Sequence, residues 1–216
     1  MAHIVGIIQV KGGAGRSTIA TNLAGMMASH KRVALIDCDI PQASAASWAS
    51  IRQGNITTAT AADHVQLIAE IERLKGEHDL IVIDAPPRIA EITKIILMLS
   101  DLCLIPLGAS AVEIWATADL LKTIEAAREI KSDIDTRIIW NRFRASTKSA
   151  QELSQAANEV LGIKELKNKL GYRVAYSEAM ARGMTVLEWT DRTARDEMLA
   201  LGKELEKILK VKFIKD

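Results

Sequence analysis

Short, almost uninterrupted apolar runs recur along the chain, and each is followed by a segment whose apolar residues return at helical spacing. The continuous runs indicate strands that are buried on both faces, as in a parallel sheet. We predict strands at 3–9, 33–39, 79–84, 102–107 and 136–141, an edge strand at 56–60 and a short strand or turn at 164–170. Helices are predicted at 16–30, 43–52, 62–74, 89–99, 112–130, 149–161, 175–182 and 193–210. This alternation predicts a doubly wound α/β fold with a mostly parallel sheet.

Composition narrows the class of protein without naming a function. The 216 residues, 49% hydrophobic and 25% charged, suit one globular domain over 1–216, and 4% aromatic residues imply an aliphatic core. A net charge of +1 gives no global case for binding nucleic acid or membrane, so any such case needs a local patch. Cys38 and Cys103 lie in apolar runs and are predicted to be buried thiols. With no signal-peptide pattern and no membrane-length apolar stretch, we expect a cytoplasmic protein.

The first apolar run leads into a glycine-rich turn, Val10-Lys11-Gly12-Gly13-Ala14-Gly15-Arg16-Ser17-Thr18. The backbone N–H groups of such a turn, with a helix N-terminus behind them, can surround an oligophosphate, which indicates a P-loop NTPase. Two positions depart from the pattern G-x-x-x-x-G-K-[ST]: Val10 replaces the first glycine and Arg16 replaces the lysine. Arginine keeps the charge and can contact phosphates bidentately, but its planar fork is longer. We therefore expect ATP binding with slower hydrolysis; a nucleotide-binding switch without turnover is the alternative.

Three carboxylates, Asp37, Asp39 and Asp84, lie at the carboxyl ends of predicted strands, where ligands bind in such folds. Phosphate-bond cleavage needs charge neutralisation, a metal ion and an oriented water. Ser17 and Asp84 are predicted to hold Mg²⁺. Asp37 and Asp39 alternate along their strand and so share one face, from which they could orient the attacking water. The alternative is that the glycines and aspartates only form turns.

Residues Lys11 to Thr18 resemble the deviant Walker A box, K-G-G-x-G-K-[ST]-[ST], of the ParA/MinD ATPases. The resemblance continues in order along nearly the whole chain. It includes a D-x-D-P-Q-like box at 35–42 with Ile40 as an extra residue, a Walker B-like box at 80–87, a strand at 100–107, an adenine-contacting pair at Asn141-Arg142, and a C-terminal segment at 176–189. The insertion of Ile40 leaves the positions of Pro41 and Gln42 undetermined.

This resemblance implies that ATP and Mg²⁺ are the cofactors and that ATP drives formation of a sandwich homodimer. Lys11 would then reach the phosphates bound by the other subunit, and Asp39 would act on the water. The glycine turn begins near residue 11, so the chain is most similar to the small ParF-like and McdA-like members of the family. Their likeness implies an ATPase that positions a plasmid, chromosome or carboxysome. An adaptor protein of the ParB or McdB kind would stimulate its weak hydrolysis.

The same resemblance implies non-specific, salt-sensitive DNA binding and a nucleoid-associated location. Candidate DNA-contacting residues are Lys164, Lys167, Lys169, Arg173, Arg182, Lys203, Lys207 and Lys210. These lysines alternate with glutamates, which is also typical of a solvated helix face.

Two alternatives stay open within the superfamily. A MinD-like protein would use the apolar and basic tail 205–215 as a membrane anchor, although we expect this tail to pack on its own domain and membrane binding to be absent. A metabolic or biosynthetic P-loop enzyme would need further clustered polar residues, which the sequence offers only at Arg88 and 142–144.

Overall fold

A computed structural model of the protein describes residues 2–144 and 148–214. Its strands are β1 His3–Ile7, β2 Val33–Asp37, β3 Ile56–Thr60, β4 Leu80–Asp84, β5 Leu102–Leu107 and β6 Thr136–Trp140. Its helices are α1 Arg16–Met27, α2 Ser44–Ile51, α3 His64–Leu74, α4 Ala90–Leu99, α5 Ala111–Arg128, α6 Lys148–Leu161, α7 Ala175–Met180 and α8 Arg192–Leu209, with a short 3₁₀ turn at Val186–Glu188. The predicted elements are confirmed, and most ends differ by only a few residues.

The six strands form one sheet in the order β3-β2-β4-β1-β5-β6, and every pair is parallel. The doubly wound α/β prediction is therefore confirmed. In register, Asp84 at the end of β4 lies beside Asp37 of β2 on one side and Ile7 of β1 on the other. The carboxyl ends of the central strands thus meet at one edge of the sheet.

The continuous apolar runs are explained by two cores, one on each face of the sheet. Along β4, Ile81 and Ile83 enter the core covered by α3, α4, α5 and α6, whereas Leu80 and Val82 enter the core covered by α1, α2, α7 and α8. Successive side chains of a strand point to opposite faces. Where both faces are covered, the odd and the even positions of the strand must therefore both be apolar.

Segment 164–170, predicted as a short strand or turn, makes only isolated bridges with the sheet. Glu165 pairs with Ile138 of β6. Gly171, the residue after the segment, pairs with Phe143, which lies just beyond the end of β6. Leu166 and Leu170 are buried in the second core, which accounts for the apolar positions that suggested a strand.

The segment that follows α7 is fastened to the helices that leave the sheet edge. The Trp48 indole N–H of α2 donates to the carbonyl of Met184 at 3.0 Å, and the Val186 backbone N–H donates to Asn22 Oδ1 of α1 at 2.8 Å. Gly183 has a φ of 68°, and a Cβ there would lie 2.7 Å from the backbone nitrogen of Arg52. The C-terminal segment predicted from the family resemblance therefore braces α1 against α2.

The chain beyond α8 folds back onto that helix. Glu206 Oε1 accepts hydrogen bonds from the backbone N–H groups of Phe213 and Ile214, each at 2.7 Å. The ring of Phe213 is buried in the same core as Leu205 and Leu209. The described part of the tail packs on its own domain, as expected.

Within residues 2–144 and 148–214, none of the helices has the length and apolar composition needed to span a bilayer.

Because the tail is part of the core, Phe213→Ala should lower the free energy of unfolding by about 3–5 kcal/mol, through lost burial and a residual cavity. Urea unfolding would measure this, with Lys207→Ala as a control on the exposed face of α8, expected to stay within about 0.5 kcal/mol of the parent. A membrane anchor that does not pack on the domain predicts equal stability for both variants.

Candidate functional site

The glycine turn joins β1 to α1 and has the backbone shape of an anion cradle. Gly13 and Gly15 have φ values of 76° and 96°, a left-handed region that glycine enters without a Cβ clash. The N-cap residue of α1 is Gly15, which has no side chain to cap the helix, and the first turn of α1 as described carries no acidic residue. The free N–H groups of that helix end therefore remain available to an anion.

The residue that follows β6, Asn141, holds this turn through a hydrogen bond. Asn141 Nδ2 donates to the carbonyl of Ala14 at 2.9 Å, and a Cβ at Gly15 would lie only 2.1 Å from the same nitrogen. Only glycine fits at position 15. The hydrogen bond also shows that the glycine turn, predicted to bind phosphate, is in direct contact with Asn141, predicted to bind adenine.

Two adjoining clefts open at this edge of the sheet. One, of about 380 Å³, is lined by Gly12, Gly13, Gly15, Arg16, Ser17, Thr18, Asp39, Gln42, Ser44, Pro87, Arg142 and Met180. The other, of about 270 Å³, is lined by Thr18, Asn141, Arg142, Gly171, Tyr172, Arg173, Val174, Tyr176 and Ser177. Thr18 and Arg142 belong to both walls, so the phosphate candidates and the Asn141-Arg142 pair line one connected surface. Tyr172 was not predicted, since it matches no quoted motif.

Asp84 lies beneath the first cleft as a buried carboxylate. By distance and angle, neither of its oxygens accepts a hydrogen bond within the described residues, although the Ser17 hydroxyl lies close enough to favour the charged form. Burial raises the pKa of Asp84 to about 7, and the charges of Asp37 and Asp39 add to this, while the Ser17 hydroxyl and the Arg16 charge oppose it. A buried carboxylate without partners is costly unless a cation or proton compensates it.

Ser17 and Asp84 together fit a hydrated Mg²⁺. The magnesium ion prefers oxygen ligands and keeps several waters, so one or two protein groups and the phosphates suffice. The described ranges contain no group of three or more His, Cys, Asp or Glu side chains placed to hold a metal ion by themselves.

The prediction for Asp37 requires correction. Its Oδ1 accepts from the backbone N–H of Asp39, and its Oδ2 accepts from that of Ala46, each at 2.9 Å. Burial raises the pKa of Asp37, and these backbone bonds partly offset the rise. Both oxygens thus shape the loop between β2 and α2 rather than orienting a water.

Asp39 lies outside β2, which ends at Asp37, so the two do not alternate on one strand face as predicted. The backbone turns at Asp37 because its side chain captures the N–H of Asp39. Asp39 nevertheless lines the first cleft, where Gln42 also lies. Of the two, Asp39 is the carboxylate that can reach a ligand.

Arg16 was predicted to contact phosphates, but protein oxygens surround its guanidinium. The side chain is only 6% exposed and bonds to the carbonyls of Gln9, Lys11 and Ala85, each at 2.8 Å. Its Nη2 lies 3.5 Å from Asp39 Oδ2. The position that carries the phosphate-binding lysine in the consensus is therefore engaged by the protein itself.

Lys11 is placed differently from the rest of the turn. Its ammonium lies 3.7 Å from Glu113 Oε1 of α5. The side chain lines a separate cleft of about 420 Å³, formed with Val10, Arg88, Ile89, Ala90, Thr93, Ala116, Asp119 and Thr123, and is absent from the wall of the first cleft. Sequence reasoning missed Glu113, whose only signal is its place in the first turn of a helix at the same sheet edge.

Among the predicted DNA-contacting residues, three cations are already engaged. Arg173 forms a two-bond ion pair with Glu197 at 2.7 and 3.1 Å. Lys169 donates to Ser154 Oγ at 3.0 Å and lies among aromatic rings of the core. Arg182 lies over the ring of Trp189, 4.8 Å from its centre. Lys169 and Arg173 hold the fold, which makes them poor candidates for DNA contact.

Of the five remaining candidates, Lys210 is the exposed C-cap residue of α8, and the other four share one region. Glu204 of α8 accepts the backbone N–H of Lys167 at 2.8 Å, which brings the 164–167 segment beside that helix. Lys203 and Lys207 lie on the same helix, four residues apart, and are exposed, as is Lys164. These four lysines, Lys164, Lys167, Lys203 and Lys207, are here called the α8 basic patch.

Comparison with protein families gives a match over most of the chain. Residues 5–186 match the model of the CobQ/CobB/MinD/ParA nucleotide-binding domain. The matched range contains the glycine turn, the three strand-end carboxylates and the Asn141-Arg142 pair.

Individual relatives match over nearly their full length. The chain is 27% identical over 210 residues to maintenance of carboxysome distribution protein A of Halothiobacillus neapolitanus, covering 94% of this chain and 96% of the relative. It is 24% identical to the sporulation initiation inhibitor protein Soj of Bacillus subtilis, covering 95% of this chain and 98% of that protein. Among solved structures, an ATP complex of Cyanothece McdA matches with a TM-score of 0.82 at 16% identity, over 100% of this chain and 99% of the other. That likeness shows the fold.

The buried Asp84 carboxyl predicts a pH dependence of stability in nucleotide-free protein. Its pKa is about 7 when folded but 3.8 for the unperturbed group, so between these values the folded state holds a proton that the unfolded state has lost. The free energy of unfolding should fall as pH rises through this window, by up to about 4 kcal/mol at about 1.4 kcal/mol per pKa unit.

Asp84→Asn should remove most of that slope, because the amide does not titrate, and should leave the protein more stable than the parent at pH 8. Urea unfolding with EDTA at pH 5 and pH 8 would measure this. An unchanged slope in the variant would show that Asp84 is charged throughout.

Proposed function

The chain belongs to the CobQ/CobB/MinD/ParA nucleotide-binding domain family, and from this we propose that it is a dimerising ATPase that positions a cargo such as a plasmid, chromosome or carboxysome. ATP would drive the dimer and its non-specific DNA binding, and an adaptor protein would stimulate hydrolysis. The proposal is supported by the full-length similarity to carboxysome-distribution and Soj proteins.

The observation that carries the proposal is the position of Lys11. Its ammonium pairs with Glu113 and lines the neighbouring cleft instead of its own phosphate cradle. A lysine at the mouth of a glycine turn that does not face its own cradle would be available to the cradle of a second copy.

Charge balance supports the same arrangement. ATP brings several negative charges to a cradle in which Arg16 is bound to protein oxygens. Lys11 from a second subunit would supply the missing cation only when the dimer forms. Nucleotide binding and dimer formation would then favour each other.

Apolar side chains around Lys11 offer a surface for that second copy. Trp115 and Val112 at the start of α5 are 69% and 57% exposed, and Ile89 in the wall of the Lys11 cleft is 42% exposed. Large exposed apolar side chains grouped on one face are typical of interaction surfaces.

Within each site, Ser17 and Asp84 would hold Mg²⁺, which when bound offsets charge on the β- and γ-phosphates. Asp39, at the wall of the cleft, would orient the attacking water. Gly12, Gly13, Ala14, Gly15, Ser17 and Thr18 would bind the phosphates, and Asn141 with Arg142 would contact the base.

The proposal is tested by size-exclusion chromatography and DNA retention with ATP, with ADP and without nucleotide. We expect a dimer and DNA retention with ATP alone. A monomer under all three conditions, with no DNA bound, would contradict the proposed function.

Lys11→Ala should bind ATP with the affinity of the parent monomer but lose the ATP-dependent dimer, because the cation supplied to the other subunit is missing. Glu113→Gln should dimerise at lower ATP concentration, since it frees Lys11 while its amide oxygen can still accept the N–H of Gly108. Analytical ultracentrifugation across an ATP titration would measure both. A Lys11→Ala dimer as tight as the parent would rule out the role in trans.

The α8 basic patch should carry phosphate contacts of the DNA. Lys203→Ala with Lys207→Ala should weaken retention of unrelated DNA sequences to the same extent and lower the salt slope by about 2 per subunit, because each contact contributes about 0.9. The matched control is Lys75→Ala with Lys122→Ala, the first just after α3 and the second on α5, measured at several salt concentrations. Equal losses in both double variants would indicate a general charge effect.

A further inference from the structure

We propose that Arg16 is a positioning residue that fastens three loops of the site and keeps this place when nucleotide binds, instead of acting as the phosphate-contacting cation. The inference rests on the proposed function, because its kinetic consequence requires ATP hydrolysis. It explains why an arginine occupies a position at which the consensus pattern has lysine.

The guanidinium joins the ends of three strands. Its Nη1 donates to the carbonyls of Gln9 and Lys11, which bracket the start of the turn after β1. Its Nε donates to the carbonyl of Ala85, just after β4, and its Nη2 faces Asp39, after β2. Four of the five N–H groups of the arginine are thereby directed at protein oxygens.

Lysine cannot reproduce this pattern. Its three N–H groups radiate from one nitrogen, whereas the carbonyls of Gln9, Lys11 and Ala85 are reached from two different nitrogens of a planar fork. An ammonium placed near two of these carbonyls would leave the third or Asp39 without its partner. Unpaired buried acceptors are costly, so Arg16→Lys is not a conservative change here.

The surroundings of Arg16 resist rearrangement. The side chain of Gln9 donates to the Pro106 carbonyl at 3.0 Å and to Thr117 Oγ1 at 2.9 Å, which fixes the exit of β1. A guanidinium that swung towards the phosphates would leave three carbonyls unpaired at once. The geometry therefore favours a cation that stays and holds Asp39 at the wall of the cleft.

The consequence is a separation of ATP binding from hydrolysis. Arg16→Lys should keep ATP affinity within about threefold, because the cradle N–H groups and a positive charge remain, while kcat falls about tenfold through misplaced Asp39. The melting temperature of nucleotide-free protein should fall by about 4 °C. A phosphate-contacting Arg16 predicts hydrolysis equal to or faster than the parent, whereas the loss of stability without nucleotide follows from the carbonyl contacts in either case.

The experiment compares parent, Arg16→Lys and, as a matched control on the exposed face of α8, Arg195→Lys. Equilibrium binding of a fluorescent ATP analogue, steady-state hydrolysis and thermal unfolding without nucleotide are measured for each. Hydrolysis and stability of Arg16→Lys at parental levels would overturn the inference. A parent that neither hydrolyses ATP nor dimerises would instead overturn the proposed function, while the stability comparison would still test Arg16.

Should Arg16→Lys fail to fold, the parent protein decides the question by nuclear magnetic resonance. The Arg16 Nε–H should exchange roughly 100-fold more slowly than in a free arginine, both without nucleotide and with a non-hydrolysable ATP analogue, because its bond to Ala85 persists. Loss of that protection on adding the analogue would show that the guanidinium leaves for the phosphates.

Discussion

Three carboxylates crowd the carboxyl edge of the sheet, and the structure compensates each of them differently. Backbone N–H groups hold Asp37, the guanidinium of Arg16 faces Asp39, and Asp84 has no hydrogen-bond partner within the described residues. One buried cation cannot neutralise three buried anions. Burial first, and then the neighbouring carboxylates, raise the affinity of Asp84 for a proton and suit the site to a divalent cation.

The parallel sheet is what brings these three carboxylates together. Since β1, β2 and β4 run in the same direction, their last residues and the loops that follow share one edge. The glycine turn, the aspartates and the end of β6 meet there although they are far apart in sequence. The helices brace this edge from outside, through Asn22 and Trp48 to the segment beyond α7.

Much of the fold follows from local pattern, because a strand between two cores must be apolar at every position. The end of each apolar run marks the end of a strand, so the glycine turn and the strand-end aspartates could be located from the same pattern. The pairing of Asp37 with backbone N–H groups could not, since it depends on a turn that ends β2 two residues early. The partners of Arg16 and Lys11 were equally hidden, because Ala85 and Glu113 are distant in sequence and carry no motif of their own.

The two cations of the glycine turn thus differ in position: Arg16 is enclosed within the site, and Lys11 lies at its outer surface. Arg16 is enclosed by carbonyls that a mobile cation would have to abandon, so it suits a fixed role. Lys11 is half exposed and engaged at 3.7 Å with one carboxylate, a contact that a stronger anion can replace at small cost. Apart from Arg142, which lines both clefts, the site has its internal cation engaged and its external cation turned away, and it is electrostatically incomplete for a triphosphate. That incompleteness is what a second copy of the chain would remedy.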